Sequence, residues 1–194
     1  EYVHSMGNST GNLKEYWDAI RSHRQLQGAF VWDWVDQGIV KAAPDGREYY
    51  GYGGDFGDTI NDYNFCLNGV VFPDRSVHPA IWECKKIHQP VQFEAVDLAR
   101  GRVRVTNENF FVDLGVYDLS WQLTADGEVV QSGKLPRMLT PPGGSEVLTV
   151  PLTMPAPQAG ADCTLTVTFS LAADTWYAPQ GHPVAWEQFA LPVP

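Results

Sequence analysis

A carboxylate, an imidazole and a carboxamide stand together in the stretch Glu1-Tyr-Val-His-Ser-Met-Gly-Asn-Ser-Thr-Gly11, as Glu1, His4 and Asn8. Such a set can attack an electrophile, move a proton and hold a polar ligand, and Glu1 is its chemical centre. The neighbouring elements must position it. Either Ser9 or Thr10 could cap a helix, and Leu13, Tyr16, Trp17 and Ile20 then recur at intervals of three and four, the apolar face of an amphipathic helix running to about Arg24. Glu1 and His4 are therefore expected on the strand-to-helix side of a βα unit, where barrel and doubly wound enzymes keep their reacting groups.

Gln27 to Val35 is an apolar, aromatic run with the character of a buried strand. Alternation along it would put Trp32 and Trp34 on one face and Asp33 on the other. From Asp36 to Phe72 the sequence is rich in Gly, Asp, Asn and Tyr without periodicity, which predicts a long loop, and loops of that length are usually functional. Asp55, Asp58 and Asp62 do not follow the order of a calcium-binding EF-hand loop and are expected to fix this loop as Asx turns. Asn68-Gly69 closes it and by itself would make an ordinary turn. His78-Pro79 opens a second helix containing Ile81, Cys84, Lys85 and Ile87, with Glu83, Lys85 and Lys86 as a solvated face.

The texture changes at Gln89-Pro90, which divides the chain into an α/β part, 1–88, and an all-β part, 89–194. Strand-like alternation recurs at Val91 to Val96, Arg102 to Thr106, Val116 to Thr124, Glu128 to Leu135, Ser145 to Leu152, Cys163 to Leu171 and Val184 to Val193. Asp126-Gly127 signals a two-residue hairpin turn, and Pro141-Pro142-Gly143-Gly144 and Pro155 to Gly160 separate later strands. Seven short strands in this span predict an immunoglobulin-like β-sandwich. Its tryptophans, Trp121, Trp176 and Trp186, are expected to pack rather than bind.

A formal net charge of -10 argues against a nucleic-acid partner or an anionic polysaccharide, since no basic cluster offsets phosphate or carboxylate repulsion. Neutral substrates remain open. No apolar run reaches the roughly 20 residues of a membrane-spanning helix. Cys66, Cys84 and Cys163 are far apart and lack metal-ligand spacing, so they are read as reduced thiols, consistent with a cytoplasmic protein. No histidine spacing suggests zinc. The chain opens on its own motif, with no initiator Met and no strand ahead of Glu1, so it is expected to be part of something longer.

Four blocks carry a resemblance. Glu1-Tyr2-x-His4-x-Met6-Gly7-Asn8-Ser9, Phe30-Val31-Trp32-Asp33-Trp34-Val35-Asp36-Gln37, Tyr52-Gly53-Gly54-Asp55-Phe56-Gly57-Asp58 and Phe65-Cys66-x-Asn68-Gly69 occur in that order. Together they closely resemble the large bacterial β-galactosidases of glycoside hydrolase family 2, densely over residues 1 to about 90 and more thinly beyond. The resemblance implies that 1–88 is the C-terminal part of a TIM (β/α)8 barrel, and that Glu1 is the nucleophile of a retaining β-galactosidase acting by double displacement on terminal β-galactosides such as lactose. It implies galactosyl contacts from His4, Trp32 and Asn68; Trp34 is read as core, since tryptophans on a strand more often pack than bind. It assigns the Phe65 backbone carbonyl and the Asn68 side-chain oxygen to a sodium ion, a hard cation suited to oxygen ligands. Magnesium is also implied, with ligands outside this chain, as is a homo-oligomeric full-length enzyme.

The resemblance implies that the partner acid lies in an Asn-Glu pair on an earlier barrel strand. Asn107-Glu108 falls in the sandwich and is rejected. On this reading the acid/base Glu lies upstream and the isolated chain is inactive. A β-glucuronidase or β-mannosidase of the same family, and a non-catalytic sandwich module that binds carbohydrate or a partner, are the rival readings.

Overall fold

A computed structural model describes residues 1–155 and 160–191. It separates into two compact units, Glu1–His88 and Gln89–Pro194.

The first unit is built on three short chain segments joined by single bridges: Tyr2 pairs in parallel with Val31, and Val35 pairs in parallel with Val71. Between the first two lies helix α1, Leu13–Ser22, and after the third comes helix α2, Ala80–Ile87. The order is therefore strand-like segment, helix, segment, long excursion, segment, helix. The segment at Val70-Val71 is absent from the sequence-based expectation, because two valines and a glycine are too few to show a period. Leu13, Val3, Val70 and Val71 are the buried apolar residues of this unit.

Helix α1 starts later than predicted. Asn12, at φ 63°, stands at its N-terminus without a side-chain cap, while the Ser9 hydroxyl donates instead to the carbonyls of His4 and Met6. Ser9 thus ties down the turn that carries His4. Trp17 Nε1 donates to the Tyr2 hydroxyl at 2.6 Å, and the Tyr2 and Tyr16 rings meet edge to face at 5.1 Å, so α1 is anchored on the segment that bears Glu1. Burial pushes the Tyr2 phenol above its ordinary pKa, the Trp17 hydrogen bond opposes this, and the nearby Cys84 thiol adds to the rise.

The predicted buried strand over Gln27 to Val35 is not one. Only Val31 and Val35 make bridges, Phe30 is 85% exposed, and Trp34, expected in the core, is 64% exposed. The peptide between Trp32 and Asp33 is cis, so the simple alternation of faces does not apply there. A parallel strand buries its side chains only where sheet neighbours and helices cover both faces, and within this unit single bridges are what flank the run.

The expected structureless loop from Asp36 to Phe72 contains an antiparallel hairpin, β1 (Ile39–Ala42) and β2 (Glu48–Gly51), and a single 3-10 turn, Tyr63–Cys66. Ala43-Pro44-Asp45-Gly46 closes the hairpin, with Gly46 N–H bonded to the Ala43 carbonyl at 2.9 Å. Asp55 and Asp58 do fix the excursion, but not as Asx turns. They accept from N–H groups that precede them, Tyr52 at 2.9 Å and Gly54 at 3.0 Å.

The second unit is a two-sheet sandwich. One sheet has the order β3-β4-β7 and the other β6-β5-β8-β9. The strands are β3 Val91–Asp97, β4 Arg102–Asn107, β5 Tyr117–Ala125, β6 Glu128–Leu135, β7 Ser145–Thr149, β8 Cys163–Leu171 and β9 Pro183–Ala190. All neighbours pair antiparallel. Burial on β8 alternates along its whole length, so Cys163, Leu165, Val167, Phe169 and Leu171 face the core. Val91, Val103, Val105 and Leu148 meet them from the other sheet in one buried cluster.

The β5–β6 turn has Asp126 at φ 50° and Gly127 at φ 85°, the positive angles that a two-residue hairpin requires. Most of the predicted Pro155 to Gly160 turn and the end of the strand expected to reach Val193 lie outside the described residues. Trp121 is buried as expected, but Trp176 is 95% exposed and meets Tyr177 edge to face at 5.3 Å, so it does not pack in the core.

Asn107, rejected as part of an acid site, has a structural task. It is fully buried, and its amide donates to the carbonyls of Val112 at 3.0 Å and Thr140 at 2.9 Å. Its side-chain oxygen accepts from the Asn109 backbone and side-chain nitrogens, both at 2.9 Å.

Candidate active site

Three segment ends of the first unit bring the sequence-predicted residues together. Tyr2 N–H donates to Phe30 O at 2.9 Å, Trp32 N–H to Tyr2 O at 3.3 Å and Ser5 N–H to Trp32 O at 2.8 Å. These bonds lock the Glu1–Ser5 stretch alongside Trp32. Asp33 N–H then donates to Asn68 O at 2.6 Å and Val70 N–H to Asp33 O at 3.1 Å, which locks Trp32-Asp33 to the stretch carrying Asn68. Residues distant in sequence therefore share one end of the segment set.

The His4 ring is half-buried and stacks on the Phe65 ring at 5.5 Å and 19°. Both line a cavity of about 1010 Å³ whose walls include Met6, Tyr16, Asp36 and His78. Trp32, 43% exposed, lines a neighbouring cavity of about 340 Å³ together with Gln37, Tyr63, Phe65 and Asn68. Phe65 is thus common to both. Glu1 is exposed and lines neither cavity.

Asn68 is buried, and its side-chain nitrogen donates to the Phe65 carbonyl at 2.9 Å. Its side-chain oxygen is buried without a hydrogen-bond partner. A buried amide oxygen without a partner forfeits about 1–3 kcal/mol unless a hydrogen-bond donor, a water or a cation meets it. Asp33 Oδ1 is a second buried acceptor without a partner, while Asp33 Oδ2 accepts from Gln37 Nε2 at 2.5 Å. Asn68 Oδ1 and the Phe65 carbonyl are both oxygen donors, which suit a hard monovalent cation better than a transition metal. Among the described residues no three His, Cys, Asp or Glu side chains gather as a metal site.

Sequence reasoning missed Asp36, Gly69 and His78. Asp36 is 7% exposed, and its Oδ1 accepts from Gly69 N–H at 2.7 Å. His78 Nε2 lies 3.0 Å from Asp36 Oδ2, an ion-pair distance, although no hydrogen bond of good angle links them. The His78 ring packs on Phe72 at 3.9 Å, and its backbone N–H donates to Val70 O at 3.2 Å. Gly69 has no room for a side chain, because a Cβ there would lie 2.1 Å from Asp36 N. No local signal announces this trio, since a lone Asp, a Gly after Asn and a His before Pro are each ordinary.

Two family profiles match this chain in succession. Residues 1–93 match the TIM barrel domain of glycosyl hydrolases family 2, and residues 103–192 match β-galactosidase domain 4. The chain belongs to glycoside hydrolase family 2. A relative named β-galactosidase from Psychromonas ingrahamii is 44% identical over 191 residues, 98% of this chain and 18% of the relative. Its counterpart in Aeromonas hydrophila is 45% identical over 194 residues, 100% of this chain and 19% of that protein. A third, from Priestia megaterium, is 44% identical over 193 residues, 99% and 19% of the two chains. The chain therefore spans about a fifth of the length of the curated relatives it matches. Among the described residues no helix is long and apolar enough to cross a membrane.

Proposed function

We propose that this family 2 chain is the closing part of the catalytic barrel, with the following immunoglobulin-like sandwich, of a retaining β-galactosidase in which Glu1 is the nucleophile. The observation that carries the reading is the gathering of His4, Trp32, Phe65 and Asn68 by the bridged ends of the segments that begin at Glu1. The Glu1 carboxylate attacks C1 of a β-galactoside, the glycosidic oxygen leaves with a proton from a second carboxyl group elsewhere in the full-length enzyme, and a galactosyl ester forms. Water, deprotonated by that second group, then attacks C1 and frees Glu1. His4 donates hydrogen bonds to sugar hydroxyls, and Trp32 offers its ring to an apolar C–H face.

The buried, unpartnered Asn68 oxygen and the Phe65 carbonyl beside it suit a sodium ion, which would supply a fixed positive charge beside the sugar. Asn68 and Phe65 hold and orient that end of the pocket. Magnesium has no gathered ligand set among the described residues, and no step here depends on it.

The test is the Glu1→Gln variant of the full-length enzyme, incubated with an activated 2-deoxy-2-fluoro-β-galactoside. Wild type should gain the mass of one glycosyl unit on the peptide containing Glu1, and the variant should lose several orders of magnitude in kcat without gaining the label. Labelling of a different carboxylate would overturn the assignment. Residues 1–194 alone are expected to be inactive toward a chromogenic β-galactoside.

A further inference from the structure

We infer that Asp36 is a positioning residue for the sodium-and-sugar end of the pocket, with His78 as its brace; the inference rests on the assignment of Asn68 and Phe65 proposed above. Asn68 can present its oxygen only if the peptide after it is held. That peptide N–H belongs to Gly69, and it is held by Asp36 Oδ1 at 2.7 Å. The contact needs the two backbones closer than any side chain permits, with 2.1 Å left for a Cβ, so Gly69 and Asp36 are a matched pair.

Asp36 is itself held at its backbone and flanked at its side chain. Asp36 N–H donates to Val71 O at 3.0 Å, on the far side of the same turn, and His78 Nε2 sits 3.0 Å from Oδ2. His78 is fixed in turn by Val70 O and by the face of Phe72. The result is a closed set of contacts around residues 68–72 whose open corner is the orphaned Asn68 oxygen. Asp36 and His78 also form part of the wall of the 1010 Å³ cavity that His4 and Phe65 line, so a shift in the carboxylate moves that wall as well as the turn. Groups that orient a metal ligand from behind commonly change ion affinity or activity about 10- to 100-fold when removed.

The experiment is sodium titration of the full-length enzyme at constant ionic strength, with choline chloride replacing sodium chloride. Two readouts are taken, the half-saturating sodium concentration for KM and the sodium-dependent rise in melting temperature. Asp36→Ala should raise the half-saturating concentration at least about tenfold and flatten the rise in melting temperature. Asp36→Asn keeps an oxygen for Gly69 N–H and should stay within about threefold of wild type. His78→Ala, which leaves the Gly69 bond in place, should fall between them, and it decides the matter if Asp36→Ala does not fold.

A lowered melting temperature with sodium half-saturation within twofold of wild type in Asp36→Ala, or in His78→Ala should Asp36→Ala fail to fold, would make the pair merely structural and overturn the inference. Asn68→Ala is run alongside. If it leaves sodium dependence intact, the sodium assignment itself fails and takes this inference with it; if only the Asp36 and His78 variants leave it intact, the positioning role alone is refuted.

Discussion

Replacing Asn107 by Ala tests whether one buried amide holds the sandwich loops. The substitution removes four hydrogen bonds at once, to Val112 O, Thr140 O, Asn109 N and Asn109 Nδ2. Thr140 is fully buried, but its carbonyl keeps the Leu114 N–H donor at 3.2 Å, so losing the Asn107 amide costs about 1 kcal/mol. Val112 is 40% exposed and Asn109 is half-buried, so water can reach the other partners, and each bond is worth about 0.5 kcal/mol. The sum is about 2–3 kcal/mol. The backbone bonds of Asn107 to Gly144 O and from Gly143 N, both at 2.9 Å, remain and keep the end of β4 in place.

Urea unfolding followed by tryptophan fluorescence reads this directly, because Trp121 is buried in the same core. With a slope of about 2 kcal/mol per molar, the midpoint should fall by about 1–1.5 M. Asn109→Ala, which removes one of the four bonds and the weak contact from the Tyr117 hydroxyl at 3.4 Å, should cost only about 1 kcal/mol. A loss below about 1 kcal/mol for Asn107→Ala, or equal losses for the two variants, would refute the claim that Asn107 is the hub.

Other contacts set three further outcomes. Gly69→Ala should cost more than about 3 kcal/mol or prevent folding of the first unit, because the added methyl meets backbone atoms of Val35 and Asp36 that cannot yield without breaking the segment bridges; a melting curve like that of wild type would contradict it. Gly127→Ala sits in open space at φ 85° and should cost only about 1 kcal/mol, from backbone conformation alone, in the same melts. Burial raises the Tyr117 hydroxyl above its ordinary pKa, against a hydrogen bond to Asn109 that lowers it and with a smaller rise from Tyr177. The folded state then keeps this proton longer than the unfolded chain, so its contribution is intact below about pH 10 and is lost as pH rises through the raised pKa. Tyr117→Phe should remove that part of the alkaline decline, and identical pH profiles for the two proteins would count against it.

The sandwich was legible because its signals are local. Two-residue alternation marks β8 and β4, and Asp126-Gly127 supplies the positive φ angles its turn needs, so neighbouring residues alone carry the message. The excursion after Asp36 was less legible. Its hairpin is only four residues on each side, with mostly exposed faces, so no hydrophobic period reveals it, although Pro44-Asp45-Gly46 was a turn signal to be had. Trp34 and Trp176 were misplaced for a related reason: an aromatic side chain says nothing about whether another element covers it, and neither is covered within its unit.

The candidate site divides along the same line. Sequence alone determined which residue types were available, Glu1, His4, Trp32, Phe65 and Asn68, and the order of the blocks that carry them. Only the tertiary structure decided that His4 meets Phe65, that Trp32 and Asn68 share a cavity wall, and that Asp36 reaches Gly69. Those contacts join residues some 30 to 60 positions apart through single backbone bridges, and no local pattern encodes such a meeting, because chain separation sets no preference for which loops converge. The unpaired Asn68 oxygen belongs to that second class, since being buried and being unsatisfied are both properties of surroundings.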